Sequence, residues 1–350
     1  MSSPFPQGMF ESAFRPAWWL RNPHAQTLFS TFFRAPLILA REREELLLPD
    51  GDFLDLDWHG PAGWSGATPL VLVVHGLSGS SDSHYVLGLQ VALARQGWAS
   101  VAMNCRGASG RPNNRPRAYH AGASDDILAV LQHMKSRYPQ TPRALVGYSL
   151  GGSMTLTLMG QQQHKAPVFA AVAVSVPLQL QLCADRMDSG FSRVYRQHFM
   201  ETLVAHWRDK AVHLEQLGDR ASADKVLGQL ARGPFQSFWQ YDNELVAPLH
   251  GYQDVHDYYH RASPRQYLSS ITCPTLVIQS ADDPFMTPEV LPSIQELSSA
   301  VHFELCQRGG HVGFIEGGTP RVPAYYLERR IPDFLTHQWQ AIQGRGELLG

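Results

Sequence analysis

The sequence has no surplus of charge of either sign. Its 29 Lys and Arg and 31 Asp and Glu are interspersed and leave a formal charge of −2 over 350 residues, so there is no basic footprint for nucleic acid or for an anionic membrane surface. Small or uncharged partners fit this balance better. Cysteine is scarce: Cys105, Cys183, Cys273 and Cys306 lie far apart, with no CxxC pair and no zinc-type spacing. That pattern argues against a disulfide framework or a cysteine metal site and reads as buried thiols in a reducing, cytoplasmic compartment. No run reaches the roughly eighteen apolar residues of a spanning helix, and a secretory signal is not expected at the N-terminus. Internal repeats, low-complexity tracts and an obvious flexible linker are missing too, so the chain reads as one domain with embedded elaborations.

What is present is apolar material, 44% of the chain, enough for a large core. It comes in short continuous runs: "PLVLVVHG" from Pro69, "ASVAMNCRG" from Ala99, "RALVGYS" from Arg143, "FAAVAVSVP" from Phe169, "PTLVIQSADDP" from Pro274 and "VHFELCQRGGH" from Val301. Runs without alternation suit strands buried on both faces. Helix-length patterns separate the early ones, which predicts an α/β fold with right-handed crossovers and a parallel sheet. "REELLLPDGDFLDLDWHG" adds a hairpin, giving about eight strands with an antiparallel start. Between residues 177 and 262 the strand runs vanish and helical, aromatic and polar residues take over, which predicts an inserted helical cap over the carboxyl ends of the strands, where parallel sheets bind ligands. Residues 1–45 are expected to be an arm packed on a body spanning 46–341. The aromatic stretch Trp18 to Ala40 belongs to that arm, with peripheral membrane contact as the other reading.

The chemistry centres on "GYSLG", Gly147 to Gly151. Such a match alone is weak, but here it follows a strand pattern and precedes a helix pattern, the order of a nucleophile elbow. Ser149 as a plain helix cap would not explain the glycines on both sides, which allow close backbone approach. A serine hydroxyl needs a base, and the base needs an acid to fix its tautomer. Downstream, in the required order, stand Asp283 in "QSADDPF", with Asp282 as the alternative, and His311 in "RGGHVGF". Developing charge on a carbonyl oxygen would be met by two backbone amides, those of Leu77 in "HGLSGSS" and Leu150 after the serine. His75 reads as a structural histidine of that loop. His256 and His260 have an i, i+4 spacing but no third ligand, so they read as surface or cap-packing residues and no metal or cofactor is expected. Arg106, Arg111, Arg115 and Arg117 form either an anion site or a solvated loop in which Arg106 pins backbone carbonyls.

Taken together, "PAWWLRNPHAQTL", "HGLSGSS", "NCRGASG", "YHAGASDD", "GYSLGG", "YYHRAS", "ADDPF" and "GGHVGF" resemble the YheT-like hydrolases of α/β-hydrolase family 4, from about Pro16 to Phe314. The resemblance implies an α/β-hydrolase fold with a mostly parallel eight-stranded sheet, helices on both faces and an inserted helical cap. It also implies a Ser149, His311, Asp283 triad and hydrolysis of carboxylic esters with short to medium or acylglycerol-like acyl groups. Two departures stand out. An N-terminal anchor like that of the eukaryotic relatives is not expected, and Ser153 stands where asparagine is frequent. The expected partner is therefore a small-molecule ester. Transfer of the acyl group to another alcohol and slow-turnover ligand binding are the competing readings.

Overall fold

The structure is a computed structural model that describes residues 5–345, so the first four residues of the expected arm lie outside it. The chain opens with β1 (Gly8–Glu11) and α1 (Pro23–Phe33), then forms the hairpin β2 (Glu42–Leu47) and β3 (Phe53–His59). Strand and helix alternate through β4 (Leu70–Val74), α2 (His84–Arg95), β5 (Ala99–Met103), α3 (Ser124–Arg137), β6 (Arg143–Tyr148), α4 (Leu150–Gln162) and β7 (Ala170–Val174). A wholly helical stretch follows: α5 (Leu180–Met187), α6 (Ser192–Gln216), α7 (Arg220–Leu230), α8 (Phe238–Tyr241), α9 (Ala247–His250) and α10 (Val255–Ala262). The segment Asp242–Val246 joins α8 to α9 as a single wide π-helical turn. The sheet resumes with β8 (Thr275–Ser280) and β9 (Val301–Cys306), and β10 (Ile315–Thr319), β11 (Val322–Tyr325) and α11 (Tyr326–Arg345) complete the chain.

The main sheet has nine strands in the order β1-β9-β8-β7-β6-β4-β5-β3-β2. Only the β2/β3 and β3/β5 pairings are antiparallel, as the expected antiparallel start requires. The expectation of eight strands is corrected by β1, which pairs in parallel with β9. Its sequence, "GMFE", is too short to show as an apolar run. The hairpin β10–β11 stands apart from the main sheet.

Burial explains why the central strands read as unbroken apolar runs. Leu70, Leu72 and Val74 of β4 point into a layer shared with α3 and α4, and Val71 and Val73 into one shared with α2 and α11. Both faces are dry, so neither tolerates polar alternation. A third apolar cluster joins helices α5 to α10 to Ala121 and Leu150 of the body. The helical insertion thus has a core of its own that closes over the end of β6. In the arm, Phe14, Ala17, Leu20 and Phe29 are buried, whereas Trp18, Phe32, Phe33 and Ile38 are exposed. No helix among the described residues is long and apolar enough to cross a membrane.

Candidate active site

Only Ser149 separates the last residue of β6 from the first of α4, so the chain must reverse within one residue. It does so with Ser149 at φ 50° and ψ −118°, a left-handed backbone that a residue with a Cβ adopts only under constraint. The two flanking glycines of "GYSLG" make the reversal possible. A Cβ on Gly147 would lie 2.2 Å from the carbonyl oxygen of Gly151, and one on Gly151 would lie 2.4 Å from that of His75.

The structure brings Ser149, His311 and Asp283 into one line. His311 Nε2 lies 2.9 Å from Ser149 Oγ, and its Nδ1 lies 2.8 Å from Asp283 Oδ2. Asp283 is buried, and its other oxygen accepts from the Phe285 N–H at 2.9 Å. With Nδ1–H held by the carboxylate, Nε2 is left as the acceptor that faces the serine hydroxyl. Asp282, the alternative acid, does a different job. Its Oδ1 accepts from the Ser280 hydroxyl and from the Gly310 N–H, which ties it to the loop that carries the histidine.

Several contacts that hold this geometry gave no signal in the sequence. The His311 N–H donates to Thr27 Oγ1 of α1 at 2.9 Å, the Val312 N–H donates to Ser175 Oγ, and the ring of Phe285 stacks on His311 with centroids 4.1 Å apart. In "HGLSGSS", the N–H of Gly76 donates to Tyr85 Oη at 3.0 Å and that of Ser78 to Tyr119 Oη at 2.8 Å. Two tyrosines therefore fix the backbone on either side of Leu77. Leu150 opens α4, where an N–H has no helical acceptor. Leu77 and Leu150 line the same pocket as Ser149 and His311.

That pocket encloses about 120 Å³ of solvent-sized space. Its walls are mostly apolar, with Leu180, Phe199 and Leu203 from the helical insertion and Phe285 and Met286 from the body. His75 lies outside it and is structural: Nδ1 contacts the Gly76 carbonyl oxygen and Nε2 accepts the Cys105 N–H. Burial pushes its pKa down to about 4, which keeps the ring neutral. The arginine loop differs from both of its sequence readings. Arg106 is buried and bonds carboxylates rather than carbonyls, with Asp126 accepting from Nε and Nη2 and Asp50 and Asp52 accepting from Nη1. Arg111 pairs with Asp55 and Glu45, and Arg117 with Asp125. The acids come from α3 and from the hairpin, and the hairpin acids are more than fifty positions away in sequence. His256 packs beside the Trp239 ring, and His260 is exposed on α10.

Comparison with known proteins bears on the family and the fold. Residues 69–318 match the family model described as the alpha/beta hydrolase fold. YheT of Escherichia coli, which is named an esterase, is 38% identical over 94% of this chain and 94% of its own. The mouse phospholipase ABHD3 is 28% identical over 91% of this chain and 77% of its own. Among solved structures, the Pyrococcus furiosus esterase Pf2001 shares the fold with a TM-score of 0.51 at 16% identity, covering 85% of this chain and 93% of that one. The elbow at Ser149, the order of the strands and these similarities lead to one assignment: the chain belongs to the α/β-hydrolase family, among the YheT-like proteins.

Proposed function

We propose that this carboxylic ester hydrolase works through Ser149, His311 and Asp283 by way of an acyl-enzyme. The observation that carries the reading is the unbroken pair of hydrogen bonds from Asp283 through His311 to Ser149 at the floor of an apolar pocket. As Ser149 Oγ attacks the ester carbonyl carbon, its proton passes to His311 Nε2. Asp283 stabilises the imidazolium through Nδ1–H. The carbonyl oxygen gains negative charge facing the N–H groups of Leu77 and Leu150, and each such donor is worth about 3 kcal/mol of barrier. Collapse expels the alcohol, protonated by His311, and a water activated by the same nitrogen then releases the acid. No step calls for a cofactor.

The apolar walls and modest volume support esters with a short to medium or acylglycerol-like acyl group, and the phospholipase name of the mouse relative points to lipid-like esters as well. The test is Ser149→Ala. The variant is expected to lose p-nitrophenyl ester hydrolysis by on the order of 10⁶-fold, to lose labelling by a fluorophosphonate probe, and to keep the circular dichroism of the parent. Turnover retained in the folded variant would overturn the proposal.

A further inference from the structure

One polar feature of the pocket has no part in that chemistry. Asp242, at the start of the π-helical turn Asp242–Val246, is buried and lines the cavity together with Val246, Tyr258 and Tyr259. Its Oδ2 accepts from the Tyr259 hydroxyl at 2.7 Å. Its second oxygen has no hydrogen-bond partner among the described residues. Burial pushes its pKa up to about 7, with the Tyr259 bond only partly offsetting the effect, so near neutral pH the carboxyl can both donate and accept.

A second polar group lines the same cavity. His120 is buried, and its Nδ1 accepts the Gly122 N–H at 3.2 Å. Burial holds its pKa well below the usual value, so the ring is neutral and its proton sits on Nε2, which has no acceptor among the described residues. Fastening α8 to α10 needs only the Asp242 oxygen that Tyr259 already bonds. Both residues line the pocket, and neither Asp242 Oδ1 nor His120 Nε2 has a hydrogen-bond partner among the described residues, so each is available to a bound molecule.

We propose that Asp242 and His120 form a recognition site for a hydroxyl group, so that the pocket selects esters carrying a hydroxyl over otherwise identical esters without one. A hydroxyl is the small neutral group that matches both partners, since its oxygen accepts from His120 Nε2–H while its proton or lone pair meets the carboxyl. The substrate class is then a hydroxyl-bearing carboxylic ester. This assignment rests on the Ser149 reading for turnover but not for binding.

The experiment uses two matched pairs in the full-length protein. p-Nitrophenyl 3-hydroxybutyrate against p-nitrophenyl butyrate places the hydroxyl on the acyl side, and glycerol monobutyrate against propyl butyrate places it on the alcohol side. In at least one pair kcat/KM is expected to favour the hydroxylated ester by about tenfold, the size of one buried hydrogen bond. The preference is expected to fall towards unity in Asp242→Leu and in His120→Phe, each checked for folding by circular dichroism. Asp242→Asn, which keeps groups able to bond a hydroxyl, is expected to retain part of it. Ser149→Ala protein, titrated with the same pairs, reads the preference as a ratio of Kd values, so the site can be tested even if the nucleophile is another residue. Equal values within both pairs, or a preference unchanged in both Asp242→Leu and His120→Phe, would overturn the proposal.

Discussion

Ser149 owes its geometry to what its neighbours lack. The backbone of the elbow passes so close to His75 and Val74 that a Cβ at Gly151 would meet two carbonyl oxygens, whereas one at Gly152 would first meet the Val176 side chain. The two acidic residues beside Pro284 divide their work just as sharply. Asp283 faces the His311 ring, and Asp282 faces the backbone of the loop that carries it. Asp283→Asn is therefore expected to lower kcat by about 10⁴-fold, because the amide favours the wrong imidazole tautomer. Asp282→Asn, which weakens only the loop anchor, is expected to cost far less, about tenfold, the value of one weakened hydrogen bond to a charged group. Steady-state kinetics on p-nitrophenyl butyrate separates them, and equal losses would reverse the assignment of the acid. At this scale the sequence was legible where chemistry dictates residue type and order: serine between glycines, then acid, then histidine. It was silent about Asp242, because a carboxylate in a polar-looking helix gives no sign of facing inward. It marked Ser153 as a departure from the family pattern but not its surroundings: the hydroxyl lies buried without a partner in a helix buried nearly all round.

At the scale of elements, α1 does more than cover the body. Its Asn22 caps the helix by accepting the Ala25 N–H, which fixes where the first turn begins. That turn then lies against the histidine loop so closely that a Cβ on Gly310 would come within 2.4 Å of the Pro23 carbonyl oxygen, and one on Gly313 within 2.4 Å of that of Gln26. Gln26, fully buried, donates to the carbonyls of Leu20 and Ile315 and accepts the Ile315 N–H. Thr27 accepts the N–H of His311 itself. The arm read from composition as a packing segment thus holds the loop that carries His311, the proposed base. Nothing local reveals this, since the residues that tie α1 to His311 and Ile315 are separated from them by 284 positions or more. Thr27→Val keeps the shape and removes the acceptor. It is expected to lower kcat by about tenfold with KM little changed, the cost of one buried hydrogen bond expressed where the base must be aligned. A fall in thermal stability with kcat intact would instead make the contact purely structural.

For the whole molecule, buried histidines decide how it meets acid. Burial pushes His75, His84 and His250 down to about 4 and His120 well below its usual value. Three of them accept backbone N–H groups on the nitrogen that a second proton would occupy: His75 Nε2 accepts from Cys105, His250 Nε2 from Ala118 and His120 Nδ1 from Gly122. His250 belongs to the helical insertion, Ala118 to the loop beneath it, and Lys210 of α6 reinforces the join by donating to the Arg117 carbonyl at 2.7 Å. Because these histidines have lowered pKa values in the folded state, the unfolded chain binds more protons between about pH 6.5 and 4, and stability falls as pH falls through that window. A shift of this size corresponds to about 3 kcal/mol for each of His75, His84 and His250. Asp242 acts in the opposite sense. Its raised pKa means that the folded state gains stability as pH drops from about 7 towards 4, a gain of about 4 kcal/mol. Four buried histidines lose stability on acidification against one carboxyl that gains it, so the net direction among these groups is a loss. The melting temperature is accordingly expected to fall steeply between pH 6.5 and 4.5, and His250→Gln is expected to flatten part of that fall by removing the proton-binding ring from the join. Differential scanning calorimetry across this range checks both, and a melting temperature that stays level or rises towards pH 4.5 would show that the buried rings do not govern acid stability.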